Sequence, residues 1–482
     1  MAETLIDVDL CIIGAGSAGL SVAAGAAQLG LSTVLIERGE MGGDCLNTGC
    51  VPSKALLAAG KRATAHRMTD IPGIKGHEPD IDFGAVKGHV AATIAAIAPM
   101  DSQERFEGFG VKVIRASARF VGPDRVEAGD TVVRARHFVV AAGSRASIPP
   151  ISGLDPDKVL TNESVFDLRD RPDHLLIIGG GPIGIEMAQA HRRLGCRVTV
   201  VDMGPILPRD DAVCVDELRA ILSAEGIDIR EHVGITRVEH GRDGNPQSVS
   251  LTIKAADGTQ SELNGSHLLV AAGRKASVDG LGLDAAGVAH DRSGIKTDAR
   301  LRSSNKRVFA VGDIAGGPQF THIAGYQAGI VIRNICFRLP AKVDYSHMPW
   351  VTYTDPELAQ TGLTEAAARK THGDRIRVVE WPFAENDRAI AEKATVGRVR
   401  IVALKNGRIV GASILGAHAG ELIGLWALAI SRRLKIGAVA GMILPYPTLS
   451  EAGKRAAGVW YTPTLFSDRT RRLVRWLRRL PF

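Results

Sequence analysis

The sequence predicts an α/β fold with two doubly wound parallel sheets and a separate α+β domain toward the C-terminus. Two observations predict the parallel sheets: an apolar strand, a glycine-rich turn, a helix and a second apolar strand follow one another at residues 9–36, and again at 175–201. A third predicts the α+β domain, because strand-like alternation at 397–404 and 408–415 precedes an apolar helix near 420–432. The length of 482 residues fits about three domains.

Composition excludes several classes of protein. With 45% hydrophobic and 23% charged residues, the chain is not a disordered polymer. It lacks a run of about 18 apolar residues, so we do not expect an integral membrane protein. Six cysteines are too few for a secreted disulfide scaffold, and the N-terminus lacks the basic and apolar regions of a signal peptide. We therefore expect a cytoplasmic protein.

The first repeat carries a dinucleotide-binding fingerprint. A strand at 9–13 runs into Gly14, Gly16 and Gly19 in Gly-x-Gly-x-x-Gly spacing, and a helix follows. In such a loop the first glycine allows the tight turn, the second lets the backbone approach a pyrophosphate, and the third lets the helix pack on the strand. The next strand ends at Glu37, whose carboxylate would accept hydrogen bonds from ribose hydroxyls. The pattern predicts a Rossmann-like nucleotide-binding domain.

The second repeat has the same fingerprint, with its glycines at Gly179, Gly181 and Gly184. Its second strand ends at Asp202, at the same 18-residue distance from the third glycine as Glu37 in the first copy. A carboxylate there repels a 2′-phosphate, so Asp202 favours NADH. NADPH remains the alternative, because a neighbouring lysine or arginine would accommodate it. The alternative is that Asp202 binds no nucleotide and is simply a solvated acid at the end of a strand.

The two repeats also close alike. Val-Ala-Ala-Gly ends the first copy at Gly143 and the second at Gly273, so we expect both glycines at bound nucleotides. The first copy is the longer, and its additional residues must hold something that the second lacks. After the second copy, a strand near 307–311 ends in Gly312 and Asp313.

A pair of cysteines lies in the additional segment, which reads Gly-Gly-Asp-Cys-Leu-Asn-Thr-Gly-Cys-Val-Pro-Ser-Lys at 42–54. In a regular helix, residues five apart have Cα atoms about 8–9 Å apart, beyond the ~7 Å limit for a disulfide. A bridge between Cys45 and Cys50 therefore needs a distorted turn, which Gly49 permits, and should be reducible. Half of a zinc site and two inert thiols are the alternatives. No second cysteine pair or histidine cluster has matching spacing, so we expect no metal.

Together these motifs resemble the pyridine nucleotide–disulfide oxidoreductases, the group of dihydrolipoamide dehydrogenase, glutathione reductase and mercuric reductase. The resemblance spans essentially the whole chain. It implies FAD at the first repeat, NADH or NADPH at the second, and a homodimer formed by a dimerisation domain whose opening resembles residues 351–357. It also implies an active site shared between the two subunits. The domains expected on this basis are 1–148 with 274–344 for FAD, 149–273 for NAD(P)H, 345–466 for dimerisation, and a C-terminal helix at 467–482.

The resemblance assigns roles to individual residues. Cys45 is the thiol that exchanges with substrate, and Cys50 is the thiol that touches the flavin. Lys54 and Glu186 lie beside the flavin ring, where the lysine favours the thiolate. The further cofactor-binding positions are Gly43 in the redox segment 41–54, and Gly312 and Asp313, with Asp313 at the flavin ribitol. Electrons are expected to pass from NADH through FAD to the disulfide and on to a small-molecule or metal-thiolate acceptor.

One segment departs from the family pattern. Disulfide reductases of this group carry His-x-His-Pro-Thr-x-x-Glu near the C-terminus, whereas residues 444–451 read Leu-Pro-Tyr-Pro-Thr-Leu-Ser-Glu. Tyr446 thus replaces the histidine base, and a phenol of pKa about 10 cannot cycle a proton near neutral pH. Tyr446 either positions an acceptor or closes the pocket, and Glu451 either braces the phenol or caps a helix. Mercuric reductases share the Pro-Tyr, but their C-terminal cysteine pair is missing because Cys336 is the last cysteine.

The expected acceptor is therefore a metal-thiolate, as in mercuric reductase, or an unidentified disulfide. The alternatives are a dihydrolipoamide dehydrogenase-like disulfide reductase, a diaphorase that bypasses the thiols, and a flavoprotein subunit with little activity alone that is docked into a larger assembly. His322, after the second FAD motif, either lines the flavin pocket or is structural. The remaining four cysteines are expected to pack as small hydrophobes.

The C-terminus is basic and amphipathic. Six arginines and one aspartate at 467–482 account for most of the net charge of +7, so the rest of the chain is nearly neutral and we expect no nucleic-acid partner. An apolar stripe at helical spacing comprises Leu473, Trp476, Leu477 and Leu480. Such a helix suits an anionic membrane surface, an acidic protein groove or its own subunit. Packing on its own subunit is favoured here.

Overall fold

The computed structural model describes residues 4–67, 71–241 and 248–480. The chain divides into two compact units. The first comprises Met1–Ala63, Asp80–Met203 and Arg230–Asp344, and the second comprises Thr64–Pro79, Gly204–Ile229 and Tyr345–Phe482. The finer division into flavin, pyridine-nucleotide, dimerisation and C-terminal segments stays a prediction.

The first repeat contains seven strands and five helices. In chain order they are β1 Thr4–Ile13, α1 Ser17–Gln28, β2 Thr33–Glu37, α2 Gly43–Asn47, α3 Cys50–Arg67, α4 Phe83–Ile97, α5 Gln103–Gly108, β3 Val111–Arg115, β4 Ala118–Gly122, β5 Arg125–Ala128, β6 Thr131–Val140 and β7 Ser144–Ala146. The strand expected at 9–13 is thus the end of a longer strand, whose first residues are more exposed and carry less apolar signal.

The second repeat follows in the same manner. Its elements are β8 His174–Ile178, α6 Pro182–Arg193, β9 Arg197–Val201, α7 Ala212–Ala224, β10 Ile227–Arg230, β11 Gly234–His240, β12 Val249–Lys254, β13 Gln260–Gly265, β14 His267–Val270 and β15 Arg274–Ala276. The chain continues through β16 His290–Asp291, β17 Gly294–Ile295, β18 Val308–Ala310 and α8 Thr321–Cys336.

The largest sheet has the strand order β3-β2-β1-β6-β5-β4, with β18 also beside β6. Strands β1, β2, β3, β6 and β18 are parallel, so Ile13, Ile36 and Val140 end at one edge. Side chains alternate across β1: Leu10 and Ile12 enter one core, while Cys11 and Ile13 enter the core on the other face. Burial on both faces is what a doubly wound sheet requires, and the predicted fold class is confirmed.

The second parallel sheet repeats this edge. Strands β9, β8 and β14 are neighbours and parallel, and Ile178 at the end of β8 pairs with Val201 and Val270. Strands β11, β12 and β13 form a separate antiparallel sheet. A short antiparallel pair, β7 with β15, joins the residues that follow the closing glycines of the two repeats.

The stretch Phe83–Gly108 is long and apolar enough, by length and composition, to cross a membrane. The expectation that no such segment exists is therefore wrong on these criteria. In the structure the stretch consists of α4, a 3-10 turn and α5. Lys87 in α4 is buried between the rings of Phe83 and Phe166, and its Nζ donates to the carbonyl of Val165 at 2.7 Å. Packing within the first unit thus provides a partner for the amine.

The second unit is built on an antiparallel sheet of order β19-β20-β23-β22-β21. From residue 345 onward its elements are β19 Pro349–Thr352, β20 Glu357–Gly362, α9 Glu365–His372, β21 Ile376–Pro382, α10 Asp387–Ala391, β22 Arg398–Leu404, β23 Ile409–Gly416, α11 Ala419–Ser431, α12 Ile436–Ala440, α13 Ser450–Val459, α14 Thr462–Leu465 and α15 Asp468–Leu477. Trp426 of α11 is buried in its core against α13, where a Cβ on Gly453 would lie 3.1 Å from the indole. The predicted α+β architecture is confirmed.

A buried ion cluster links helices and strands of this unit. Arg400 of β22 contacts Glu365 at 2.7 Å and Glu380 at 3.1 Å, and pairs with Asp211. Asp211 caps the N-terminus of α7 through Val213 N and is almost fully buried, as is Arg400. Because a planar guanidinium has five donors, one side chain satisfies three carboxylates.

Within residues 4–67, 71–241 and 248–480, no part of the chain buries the C-terminal helix. No residue of α15 is buried, and the apolar stripe faces solvent. The favoured expectation, in which the stripe packs on its own subunit, is therefore wrong for the single chain described here. The helix lies beyond the hydrophobic core of the unit, whose last members are Val459 and Trp460.

Candidate functional site

The two glycine-rich loops have the same geometry. A Cβ on Gly14 would lie 2.5 Å from the carbonyl oxygen of Ala141, and one on Gly179 would lie 2.4 Å from that of Ala271. A Cβ on the third glycine of either loop would clash with the carbonyl oxygen of the first glycine: Gly19 with Gly14, and Gly184 with Gly179. The second glycines differ: Gly181 faces open space, and the nearest atom to a Cβ on Gly16 is 3.9 Å away. This spacing fits a pyrophosphate approaching the second glycine of each loop, as a dinucleotide requires.

The acidic residues at the ends of the second strands also occupy matching positions. Glu37 Oε2 accepts a hydrogen bond from Ala15 N at 2.6 Å, and Asp202 Oδ2 accepts one from Gly180 N at 2.6 Å. Each carboxylate therefore supports its own glycine loop. In both copies this places an anionic side chain at the sheet edge, where the ribose of a bound nucleotide would lie.

The closing glycines and the second flavin motif reach the same edge. The carbonyl of Gly143 accepts from Ser277 N, and the carbonyl of Gly273 accepts from Ser147 N, each at 3.0 Å. Gly312 N donates to the buried Gln327 side chain at 2.6 Å, which directs the turn that carries Asp313. The residues predicted to hold FAD and NAD(P)H are thereby brought to the ends of their own sheets.

The thiol segment is attached to the first loop. Gly42 N donates to the carbonyl of Ala15 at 2.9 Å, and a Cβ on Gly43 would lie 2.8 Å from the Cα of Gly16. Gly43 therefore permits close backbone contact between the redox segment and the nucleotide loop. Helix α2 ends at Asn47 and α3 begins at Cys50, so the two cysteines lie on different helices.

The distorted turn between the cysteines depends on space rather than on left-handed backbone. Gly49 lacks a positive φ, but a Cβ there would lie 2.8 Å from the carbonyl oxygen of Asp44. Helix α3 can begin next to α2 only because this position has no side chain. Both Cys45 and Cys50 are present as free thiols, and the ionisation of each affects that of the other.

The two thiols differ in acidity. The hydrogen bond from Cys45 lowers the pKa of Cys50 to about 6; Thr321 and Lys54 act in the same direction, while desolvation and Glu186 oppose them. The pKa of Cys45 is raised well above its usual range, first because its proton is held in the bond to Cys50 and then because of burial. These shifts favour Cys50 as the thiolate and Cys45 as the thiol that keeps its proton.

Lys54 and Glu186 form an ion pair beside the thiols, with Nζ and Oε2 2.8 Å apart. Lys54 lies one helical turn after Cys50 on α3, and Glu186 is buried on α6 of the second repeat. The two helices can approach because Gly60 of α3 would place a Cβ only 3.3 Å from the carbonyl oxygen of Ala190. The structure thus brings together the pair that the resemblance implied.

An arginine that the sequence analysis missed connects several of these groups. Arg274, directly after Gly273, donates from Nε to Ser144 Oγ at 2.6 Å and from Nη2 to the carboxylate of Asp44. Ser144 Oγ in turn donates to Asp313, whose carboxylate lies 3.7 Å from Arg274 Nε. Burial raises the pKa of Asp313, with Ser144 and Arg274 opposing that effect. An arginine directly after the second closing glycine, where the first copy has Ser144, was the signal that could have found this network.

Thr321 was also missed, although its neighbour His322 was singled out. Thr321 Oγ1 lies 3.3 Å from the Cys50 sulfur, at the start of α8. The ring of His322 instead stacks on Phe320, with centroids 5.3 Å apart. The choice between these neighbours depends on how α8 is oriented, which a motif does not encode.

Tyr446 and Glu451 lie in the second unit. The Tyr446 hydroxyl donates to Asp387 Oδ2 at 2.9 Å, and this bond raises the pKa of the phenol. Asp387, at the start of α10, is the carboxylate bonded to the phenol, and Glu451 lies in the first turn of α13. Whether Glu451 braces the phenol or caps the helix stays a prediction. Asn386 orients the segment by donating from Nδ2 to the carbonyl of Thr448 at 3.1 Å. Tyr446 is 68% exposed on the single chain.

The remaining cysteines match expectation in part. Cys11, Cys196 and Cys214 are buried, and burial raises the pKa of each thiol. Cys336 is only half-buried. Within residues 4–67, 71–241 and 248–480, no group of three or more histidine, cysteine or acidic side chains could hold a metal ion.

Comparison with known proteins agrees with this geometry. Residues 8–328 match the family described as pyridine nucleotide-disulphide oxidoreductase, and residues 348–457 match its dimerisation domain. The chain is 34% identical to a mercuric reductase from Streptomyces lividans over 466 residues, which covers 95% of this chain and 97% of that protein. It is 32% identical to a dihydrolipoyl dehydrogenase from Geobacillus stearothermophilus, with the same two coverages.

A solved structure is similar throughout. The Cu(II) complex of the HOCl-induced flavoprotein disulfide reductase RclA from Escherichia coli superimposes with a TM-score of 0.83 at 26% identity, covering 94% of this chain and 100% of that one. The matches support FAD and NAD(P)H as cofactors and a dimeric assembly. With two glycine-rich loops, a paired-thiol segment and a matched dimerisation domain, the chain belongs to the pyridine nucleotide-disulphide oxidoreductase family.

Proposed function

We propose that this protein is a homodimeric, cytoplasmic oxidoreductase that takes electrons from NADH and delivers them through Cys45 and Cys50 to a metal-thiolate acceptor. The observation that carries the proposal is the paired-thiol segment beside the Lys54–Glu186 ion pair, where Cys50 also contacts Thr321 and its pKa is lowered. FAD, when bound, supplies two-electron transfer between the pyridine nucleotide and this pair.

Proton balance favours a metal over a disulfide. Reducing a disulfide to two thiols consumes two electrons and two protons, so an acid must deliver protons to the leaving sulfur. Reducing the metal centre of a metal-thiolate consumes electrons, and its thiolate ligands leave as anions that take protons from water, so no positioned acid is required. At the position of the family's histidine this chain has Tyr446, whose pKa is raised by Asp387, so the phenol stays protonated and does not exchange its proton near neutral pH.

The residues of the chain would then act as follows. Cys50, as thiolate, is the sulfur poised beside the Lys54–Glu186 pair, and Cys45 is the sulfur that meets the acceptor. When the two thiols are oxidised to a disulfide, one S–S bond forms, two electrons leave, and the proton held by Cys45 is released. Tyr446, donating to Asp387, would help to orient the acceptor. As the family resemblance implies, the Tyr446 at each site would come from the other subunit of the dimer.

Relatives support this acceptor class. A protein 34% identical over almost its whole length is a mercuric reductase, and the similar solved structure is a Cu(II) complex of a flavoprotein disulfide reductase. A dihydrolipoamide dehydrogenase-like role is the second candidate, favoured by the 32% identity to such an enzyme. The missing histidine base weighs against it.

An acceptor panel tests the proposal. The FAD-loaded protein is supplied with NADH and, in turn, with mercuric–thiol complexes, cupric ion, lipoamide, glutathione disulfide and quinones. We expect turnover with a metal complex and a loss of about 100-fold or more in Cys45→Ser. Cys336→Ser, at a half-buried thiol outside the site, is the matched control. Intact metal turnover in Cys45→Ser would instead identify a diaphorase, and turnover with lipoamide alone would identify the second candidate.

We further propose that NADH is the preferred donor. The Asp202 carboxylate lies at the end of β9 and accepts from the loop amide of Gly180, so it is held where a 2′-phosphate would be repelled. Comparing kcat/KM for NADH and NADPH tests this directly, and Asp202→Asn is expected to reduce the preference for NADH. Equal use of the two donors by the unmodified protein would contradict it. A flavoprotein subunit with little activity alone is excluded if the isolated protein turns over steadily.

A further inference from the structure

Helix α15 presents apolar side chains to solvent. Leu473, Trp476 and Leu477 are 52%, 57% and 47% exposed, and Leu480 just beyond the helix is 48% exposed. These residues follow a spacing of three and four, so they lie on one side of a helix. Leu465 and Phe466, immediately before the helix, are also exposed. The C-terminus therefore carries several apolar side chains that the described part of the chain leaves exposed.

The other side of the helix is strongly basic. Helical geometry places Arg471, Arg475 and Arg478 opposite the stripe, and Arg472 and Arg479 at its border. The only ion pair that these side chains make within residues 4–67, 71–241 and 248–480 is Arg471 with Asp468, at 3.7 Å and fully in solvent. Nearly all of the positive charge is therefore available to an external anion.

This feature is separate from the family fold. The dimerisation domain matches residues 348–457, and the helix begins at Asp468. Ser467 caps it by accepting from Thr470 N, so the helix has its own start signal rather than continuing α14. Removing it would expose no core, because none of its residues is buried.

We propose that α15 docks the protein onto an anionic lipid surface, lying in the plane of the interface. An interfacial helix of this kind turns its apolar side toward the acyl chains while its basic residues reach the headgroups. A protein groove would cover the stripe but would need carboxylates arranged around both flanks to match arginines on so wide an arc. Phospholipid headgroups supply anions on every side. Trp476 suits this depth, because its ring is apolar and its N–H is polar.

The test uses the FAD-loaded full chain and sucrose-filled vesicles. Co-sedimentation is measured with phosphatidylcholine alone and with one-quarter phosphatidylglycerol. We expect at least about tenfold stronger binding to the anionic vesicles, and a weakening of several-fold at about 0.5 M NaCl. Leu473→Ser with Trp476→Ser is expected to remove binding, as is deletion of residues 467–482.

Two double variants that remove the same charge test whether binding depends on α15 or on the positive charge of the protein in general. Arg475→Gln with Arg478→Gln should weaken anionic binding about tenfold, whereas Arg432→Gln with Arg433→Gln, at the exposed end of α11, should change it less than twofold. Equal loss in both pairs would overturn the proposal, as would undiminished vesicle binding after deletion. If deletion leaves lipid binding unchanged but converts a dimer to a monomer by light scattering, the stripe is a contact between copies and the proposal fails.

Discussion

Arg274 Nη2 donates to the carboxylate of Asp44, the residue immediately before Cys45. The same guanidinium donates from Nε to Ser144 Oγ at 2.6 Å and from Nη2 to the Ser144 carbonyl at 2.9 Å. One side chain thus ties the residue after the closing glycine of each repeat to the segment that carries the exchange thiol. The planar fork of arginine allows these contacts together, which a lysine would not.

Replacing Arg274 by glutamine is expected to weaken FAD retention by about tenfold, because Asp44 and Asp313 would face each other without a cation. Release of flavin fluorescence on dilution measures the effect. Arg145→Gln is the matched control, since Arg145 lies on the paired strand and forms an exposed ion pair with Asp279. Retention in Arg274→Gln equal to that of the control would show that the network does not position the site.

The Lys54–Glu186 pair should tune the Cys50 thiol in opposite directions. Lys54 lowers the pKa of Cys50 and Glu186 raises it, so Lys54→Met should move the midpoint upward from about 6 and Glu186→Gln should move it downward. A shift of about half to one pH unit is expected in each case. The thiolate is the form present above the midpoint, so the long-wavelength thiolate–flavin absorbance of the reduced holoenzyme should disappear as the pH falls through it.

Lys61→Met, about two turns further along α3, is the control for that titration. It removes an equal charge farther along the same helix. The interpretation fails if both site variants shift the midpoint in the same direction, or if no such absorbance band forms on anaerobic reduction with NADH.

Tyr446 and Asp387 should contribute to turnover through the one hydrogen bond that joins them. Tyr446→Phe and Asp387→Asn are each expected to lower turnover of a metal-thiolate by about three- to tenfold, and the double variant should lose little more because the same bond is removed. Tyr461→Phe, outside this segment, is the control. Steady-state kcat from pH 6 to 9 provides a second readout: the phenol is protonated throughout, so no ionisation of Tyr446 should appear there. Additive losses would contradict the shared role.

Restoring the family's histidine gives a complementary prediction. Tyr446→His introduces an imidazole that titrates near neutral pH, and lipoamide or glutathione disulfide turnover should rise from background. The change in acceptor ratio, metal complex against disulfide, is the measurement. An unchanged ratio would mean that the acceptor is selected elsewhere.

The Arg400 cluster should contribute to the stability of the second unit. Arg400→Met leaves Asp211 buried without its cation, and loss of one partner of a buried pair typically costs about 3–5 kcal/mol. We expect the melting temperature to fall by about 5–10 °C. Arg398→Met, whose side chain is 31% exposed and pairs with Glu217, should lower it by less than about 2 °C. Circular dichroism melts compare the two, and equal shifts would contradict the prediction.

Much of the fold could be predicted because its signals are local. The strand at 197–201 was placed at the observed limits, and both glycine loops were found, because apolar runs and tight turns constrain neighbouring residues directly. The long helical stretch Phe83–Gly108 was misjudged, since its apolar residues are interrupted by polar ones and the apolar character appears only as an average over the stretch. The first strand begins five residues before its expected start, because its early residues are more exposed and give less apolar signal.

The candidate site divides in the same way. Cys45, Cys50, Lys54 and the glycines stood out because each lies in a short motif. The partners of these residues did not: Thr321 is 271 positions from Cys50, and Asp44 is 230 positions from Arg274. No periodicity or spacing relates residues so far apart.

By itself the sequence determined the two nucleotide-binding repeats, the paired thiols and the absence of the histidine base, because each is a motif of a few neighbouring residues. Only the tertiary structure decided which thiol is acidic, which carboxylate holds the phenol and whether the C-terminal stripe is covered. Those properties depend on hydrogen bonds and burial that arise when distant segments meet. The thiol acidity is the clearest case, since the pKa of Cys50 reflects Cys45, Thr321 and Lys54 together.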